Sequence, residues 1–173
     1  KIRKNDIFLY GRKMLFQMLE ILYPRRCAVC DEIEVTGKGI CPLCKDKVHV
    51  AGEPACKKCG KPLVDERKEF CTDCGKKHHV YTQGKAVFVY EGGIRNSMYR
   101  FKYGNKREYA EFYANAAVEK YGVWLNKIKA EVLIPIPMYS RKKRLRGYNQ
   151  AEVFARELGR KAGILVDEHL VRR

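Results

Sequence analysis

Apolar positions near the start of the chain recur at helical spacing. Ile7, Met14, Leu15, Met18, Leu19 and Leu22 share one face, and Pro24 ends the run. This predicts an amphipathic helix within residues 1–26, which packs on its own protein in preference to lying on a membrane surface. Further on, Ala86, Val87, Phe88 and Val89 predict a strand over residues 84–90. Glu91-Gly92-Gly93 then turns the chain into a helix with Ile94, Met98 and Phe101 on one face. Phe112, Tyr113, Ala116, Ala117 and Tyr121 predict a second helix over residues 107–121. Val132-Leu133-Ile134-Pro135-Ile136-Pro137 is apolar without alternation, as a strand buried on both faces of a parallel sheet would be. After a basic loop, Ala151, Phe154, Ala155, Leu158 and Ala162 mark a last helix face. Asn149, with Glu152 three residues later, has the form of a capping box that starts this helix.

Composition adds limits to this picture. The chain has 173 residues, 46% of them hydrophobic and 11% aromatic, which permits a real core and excludes a disordered protein. No stretch approaches the ~18 apolar residues of a membrane span. The opening residues do not read as a secretory signal, and a cytoplasmic location is expected. The net charge is +16, and its distribution matters more than its size. Residues 27–79 carry 10 basic and 9 acidic groups, whereas residues 80–130 carry 9 and 4 and residues 131–173 carry 10 and 5. The positive potential therefore lies mostly outside residues 27–79.

That nearly neutral segment holds all eight cysteines, in the pairs Cys27/Cys30, Cys41/Cys44, Cys56/Cys59 and Cys71/Cys74. Two residues separate the members of each pair, and successive pairs are 10, 11 and 11 residues apart. Such pairs let two thiolates converge on one tetrahedral ion, so four pairs supply two complete four-cysteine zinc sites. A disulfide framework would need an oxidising compartment that nothing in the sequence supports. Sequential sharing of pairs is favoured, with a cross-braced arrangement as the alternative. Gly60 and Gly75 follow their cysteines, where positive φ would turn amides toward sulfur. With every coordination position filled by protein, both ions should be structural.

The basic stretch places Arg141, Lys142, Lys143, Arg144 and Arg146 between a predicted strand and a capped helix. In an open α/β sheet that is the ligand edge, and helix amides add partial positive charge. Phosphate or pyrophosphate is the chemistry invited, with Ser140, Arg141, Arg144, Arg146, Gly147, Asn149 and Gln150 as the expected binding residues. A second basic set, Arg95, Lys102, Lys106 and Arg107, lies near Tyr99, Phe101, Tyr103 and Tyr148 and suits single-stranded nucleic acid.

Taken together, Tyr23-Pro24-Arg25-Arg26-Cys27, the four cysteine pairs, Ile134-Pro135-Ile136-Pro137 and Arg146-Gly147-Tyr148-Asn149-Gln150 resemble the ComF family. Its members join a double zinc ribbon to a phosphoribosyltransferase-like domain and are linked to natural competence and DNA uptake. The resemblance implies an α/β fold: a metal-stabilised double ribbon over residues 27–79, then the first part of a type I phosphoribosyltransferase-like parallel-sheet domain over residues 80–173. It also implies binding of phosphoribosyl pyrophosphate with Mg²⁺ in a complete domain. The family fold's later acidic pair and Thr- and Gly-rich loop have no counterpart, since no threonine follows Thr82. Transferase turnover by residues 1–173 alone is therefore not expected, and no residue stands out as a general base. Two other roles remain open: a non-enzymatic single-strand binder, and an adaptor whose ribbons dock a helicase or another uptake protein.

Overall fold

The computed structural model describes residues 22–173, so the amphipathic helix expected at the start falls almost wholly outside the described residues. Two short ribbons come first, and they are built alike. In the first, the Cys27 amide donates to the Glu32 carbonyl and the Asp31 amide to the Cys27 carbonyl. In the second, the Cys56 amide donates to Lys61 and the Gly60 amide to Cys56, at the same two offsets. Each ribbon is clasped by one antiparallel bridge, Arg26 to Ile33 and Ala55 to Pro62. Its second cysteine pair opens a helical turn: a 3-10 helix, Pro42–Lys47, in the first ribbon and α1, Thr72–Lys76, in the second. Gly75 lies inside α1 without a left-handed backbone, so the expectation of positive φ holds at Gly60, at 75°, and fails at Gly75.

The predicted strand over residues 84–90 forms a single antiparallel bridge, Phe88 with Val50, rather than a regular strand. It runs close along the second ribbon, with the Gly84 amide 2.6 Å from the Lys58 carbonyl. Two helices follow, α2 (Gly92–Tyr103) and α3 (Tyr109–Ile128). The second extends well past its predicted end and closes at Lys129, whose φ of 48° is left-handed.

The main core lies between these helices and the first ribbon. Ala28 of the ribbon packs with Ile94 and Phe101 of α2 and with Tyr109, Phe112 and Tyr113 of α3. Phe88 stacks on Phe112 with ring centres 5.4 Å apart. The buried hydroxyls of Ser97 and Tyr113 satisfy each other at 2.7 Å, as groups withdrawn from water must.

The remaining elements form one parallel unit. Strand β1, Val132–Leu133, pairs with β2, Leu165–Val166, and between them lie α4 (Ser140–Arg146) and α5 (Gln150–Ala162). β1 is shorter than predicted because Pro135 and Pro137 have no N–H for a ladder. It is also not buried on both faces, since Val132, Ile134 and Ile136 are exposed. The predicted basic loop is a helix: Lys, Arg and Leu favour helix, and Gly147 at φ 76° ends it. Asn149 does cap α5, accepting from the Ala151 amide at 3.0 Å.

α5 packs along α3 and onto β2. At Gly159 of α5 an added Cβ would lie 2.6 Å from both the Ile164 carbonyl oxygen and Val166 Cγ2. Gly159→Ala is therefore expected to cost about 1–3 kcal/mol by forcing helix and strand apart, read as a lowered Tm.

Candidate metal centres

The cysteines converge as two sequential tetrads, Cys27, Cys30, Cys41 and Cys44, and Cys56, Cys59, Cys71 and Cys74. Within each, all four sulfurs lie within 4.8 Å of one another. The Cys30–Cys41 separation is 3.8 Å and the Cys59–Cys71 separation 3.7 Å. Four sulfurs about 2.3 Å from one tetrahedral ion stand about 3.8 Å apart, so the geometry is that of zinc coordination. It also decides the pairing in favour of sequential sharing. His78 and His79 belong to neither tetrad.

The backbone prepares one sulfur of each site. Amides of Val29 and Cys41 both reach Cys27 Sγ at 3.4 Å. Burial raises the Cys27 thiol, but amides of Cys41, Cys30 and Val29 outweigh it and bring the pKa down to about 7. Burial likewise opposes ionisation of Cys56, and amides of Cys71, Cys59 and Lys58 bring it to about 6. Cys44 and Cys74 are pushed up to about 12, by burial first and then by neighbouring cysteine sulfurs. Four thiolates in one place require a cation, so metal uptake releases protons and strengthens as pH rises.

A family model, the double zinc ribbon domain, matches residues 18–75. The matched residues are a double zinc ribbon, and its two tetrads, eight cysteine sulfurs in all, fit two structural zinc ions. No curated protein and no solved structure matches the chain. None of the helices in the described residues is long and apolar enough to cross a membrane.

The double zinc ribbon is fastened to the helical layer by polar contacts that the sequence did not announce. Arg100 of α2 donates to the Val29 carbonyl, within the first cysteine pair. Tyr109 donates to Asp31 Oδ1 at 2.6 Å, and Lys106 Nζ meets the same oxygen at 2.8 Å. Burial opposes ionisation of Asp31, yet these two partners hold its carboxyl below the ordinary value. Glu34, almost wholly buried, accepts from the Thr36 amide at 2.5 Å and the Gly39 amide at 3.1 Å, closing the first ribbon's loop.

The residues expected to bind anions gather around the α4–α5 junction with unequal freedom. Ser140, Arg141 and Arg144 are exposed on α4, and neither Arg has a carboxylate partner among the described residues. Arg146 is engaged, donating to Gln150 Oε1 at 3.1 Å and to the Tyr103 hydroxyl at 2.8 Å. Lys143 pairs with Glu152 at 2.9 Å. Asn149 is buried, with Nδ2 donating to the Ile136 carbonyl at 3.1 Å, so its side chain holds the junction together. The Gly147 carbonyl accepts from Arg107 at 3.1 Å.

The second basic set divides. Arg95 is exposed and Lys102 half-buried, whereas Lys106 is taken by Asp31 and Arg107 lies over the Tyr148 ring. Among the aromatic residues expected to stack on bases, Phe101 and Tyr148 are buried in the core and only Tyr99 and Tyr103 reach solvent. Those two rings sit 5.1 Å apart, with the Arg146 guanidinium 4.5 Å from the Tyr103 ring centre.

Proposed function

We propose that the double zinc ribbon is a rigid base for a phosphoanion-binding α/β unit of the phosphoribosyltransferase-like type, as in the ComF family, acting in DNA uptake. One observation carries the reading: Arg141 and Arg144, both free of carboxylates among the described residues, precede the capped start of α5 in a parallel β1–α4–α5–β2 unit. Ligands of such sheets bind beyond the carboxyl ends of the strands. Two guanidiniums there suit the adjacent phosphates of pyrophosphate or phosphoribosyl pyrophosphate, bidentate and charge-assisted. Mg²⁺ would accompany the latter ligand.

The test is calorimetric titration of pyrophosphate and phosphoribosyl pyrophosphate, with Mg²⁺, into the zinc-loaded chain. Arg141→Ala with Arg144→Ala is expected to weaken binding by roughly tenfold to a hundredfold for each guanidinium removed. Arg95→Ala with Lys102→Ala should leave it unchanged. Equal, small effects of both pairs would refute the anion site.

A second reading, single-stranded nucleic acid binding without catalysis, is favoured by the exposed Tyr99–Tyr103 pair beside Arg146. In that case Tyr99→Ala should weaken oligonucleotide binding by roughly 1–3 kcal/mol. Both double variants should then lower the salt slope by about 0.7 for each phosphate no longer neutralised. An adaptor role, with the ribbons docking a helicase of the uptake machinery, predicts neither effect.

A further inference from the structure

The helix that carries Arg141 and Arg144 is held from its flanks and not by packing. α4 spans seven residues, Ser140–Arg146, and buries none of them. Two turns of helix are marginal in water on their own. Charge works against this one as well: Arg141 and Arg144, Lys143 and Arg146, and Lys142 and Arg146 stand three or four residues apart and repel. Its direction is therefore set by polar contacts. Lys143 pairs with Glu152 of α5, and the remaining support comes from the region where α2 passes into α3.

That region grips the α4–α5 junction on one side. The Arg146 guanidinium lies over the Tyr103 ring and donates to its hydroxyl at 2.8 Å. Arg107 makes three contacts. Its Nε donates to Asn105 Oδ1 at 3.2 Å, its Nη2 donates to the Gly147 carbonyl at 3.1 Å, and its guanidinium sits 4.9 Å from the Tyr148 ring centre. Tyr148 is itself buried, with its hydroxyl donating to the Phe101 carbonyl. The chain leaves α4 at Gly147, with φ 76°, so holding the Gly147 carbonyl fixes the angle between α4 and the start of α5. On its other side the same region is anchored to the first ribbon. Lys106 and Tyr109 both hold Asp31, and Arg100 holds the Val29 carbonyl. The first zinc-site turn thus stands behind the junction.

We propose that Arg107 is a positioning residue for the anion site, a role different from the nucleic-acid contact that its charge suggests. It aims Arg141 and Arg144 by holding Gly147 and Tyr148, and it acts through them instead of through the ligand. The inference rests on the reading of Arg141 and Arg144 as a phosphoanion site. Two guanidiniums must meet adjacent phosphates together, so a helix free to swing has to be ordered on binding, and affinity falls. The planar fork of Arg107 serves two acceptors and a ring face at once. The compact ammonium of a lysine has the same charge but cannot do this.

The experiment compares the native zinc-loaded chain with Arg107→Lys and with Arg95→Lys, an exposed arginine of α2. Pyrophosphate affinity is measured by calorimetry, zinc content and helical circular dichroism alongside, and amide hydrogen exchange in the absence of ligand. Arg107→Lys should weaken pyrophosphate by roughly tenfold and speed exchange over residues 143–150 at least about threefold, with zinc and helical signal unchanged. Arg95→Lys should alter neither quantity. Native affinity and native exchange in Arg107→Lys would show that charge alone is needed there, and would overturn the proposal. A loss of affinity accompanied by loss of zinc or of helix would show a general structural role and overturn it as well. If the native chain itself binds no pyrophosphate, the anion reading fails, and the exchange over residues 143–150 decides separately whether Arg107 braces the junction.

Discussion

A Cys27→Ser chain is expected to lose one of its two zinc ions and most of its helical circular dichroism at 25 °C. Cys27 is fully buried, and its sulfur is the one that the amides of Val29 and Cys41 are arranged to receive. Structural zinc contributes roughly 10–16 kcal/mol of apparent binding free energy to a small ribbon, as much as the whole stability of an ordinary domain. The first ribbon cannot unfold by itself, because Ala28 packs against Ile94, Phe101 and Tyr109, and Arg100 holds the Val29 carbonyl. Cys59→Ser should also lose one zinc, yet keep the helical signal, since the second ribbon adds no cysteine to either core cluster. Equal loss of helix in the two variants would contradict the shared core.

Gly60→Ala should be the most damaging single change outside the ligands. Gly60 has φ +75°, where a side chain costs roughly 1–2 kcal/mol. An added Cβ would also stand 2.6 Å from the Ala86 amide nitrogen and 3.0 Å from Lys85 Cα. Both are backbone atoms that cannot rotate away, so overpacking adds about 1–3 kcal/mol. Asp31 occupies the same position in the first ribbon at φ 68°, and aspartate tolerates that conformation better than most residues. The companion Gly75→Ala meets nothing within 4 Å and lies in a helix, so it should be neutral or stabilising by about 0.5–1 kcal/mol. A thermal melt of each variant, with zinc content measured alongside, separates the two cases.

The metal centres were legible in the sequence because a two-residue gap between cysteines leaves the chemistry few alternatives. Their sequential pairing needed the sulfur separations. Helices α2, α3 and α5 were readable from apolar periodicity, and the start of α5 from Asn149. The basic segment reads as a loop when its charge is weighed ahead of the helix propensity of Lys, Arg and Leu. β2 escapes notice because Leu165 and Val166 form too short a run to show a period. Lys106 illustrates the harder limit: nothing near it in sequence tells that Asp31, far along the chain, takes its charge. The prolines in the apolar run were the available signal against a long β1, and they decided its length.

The measurement closest to the central claim is zinc X-ray absorption on the intact chain, with the metal quantified per polypeptide. Two zinc ions per chain, each with four sulfur neighbours at about 2.3 Å, is the result expected. One zinc per chain, or a first shell containing nitrogen or oxygen, would contradict the two all-cysteine centres on which the fold depends.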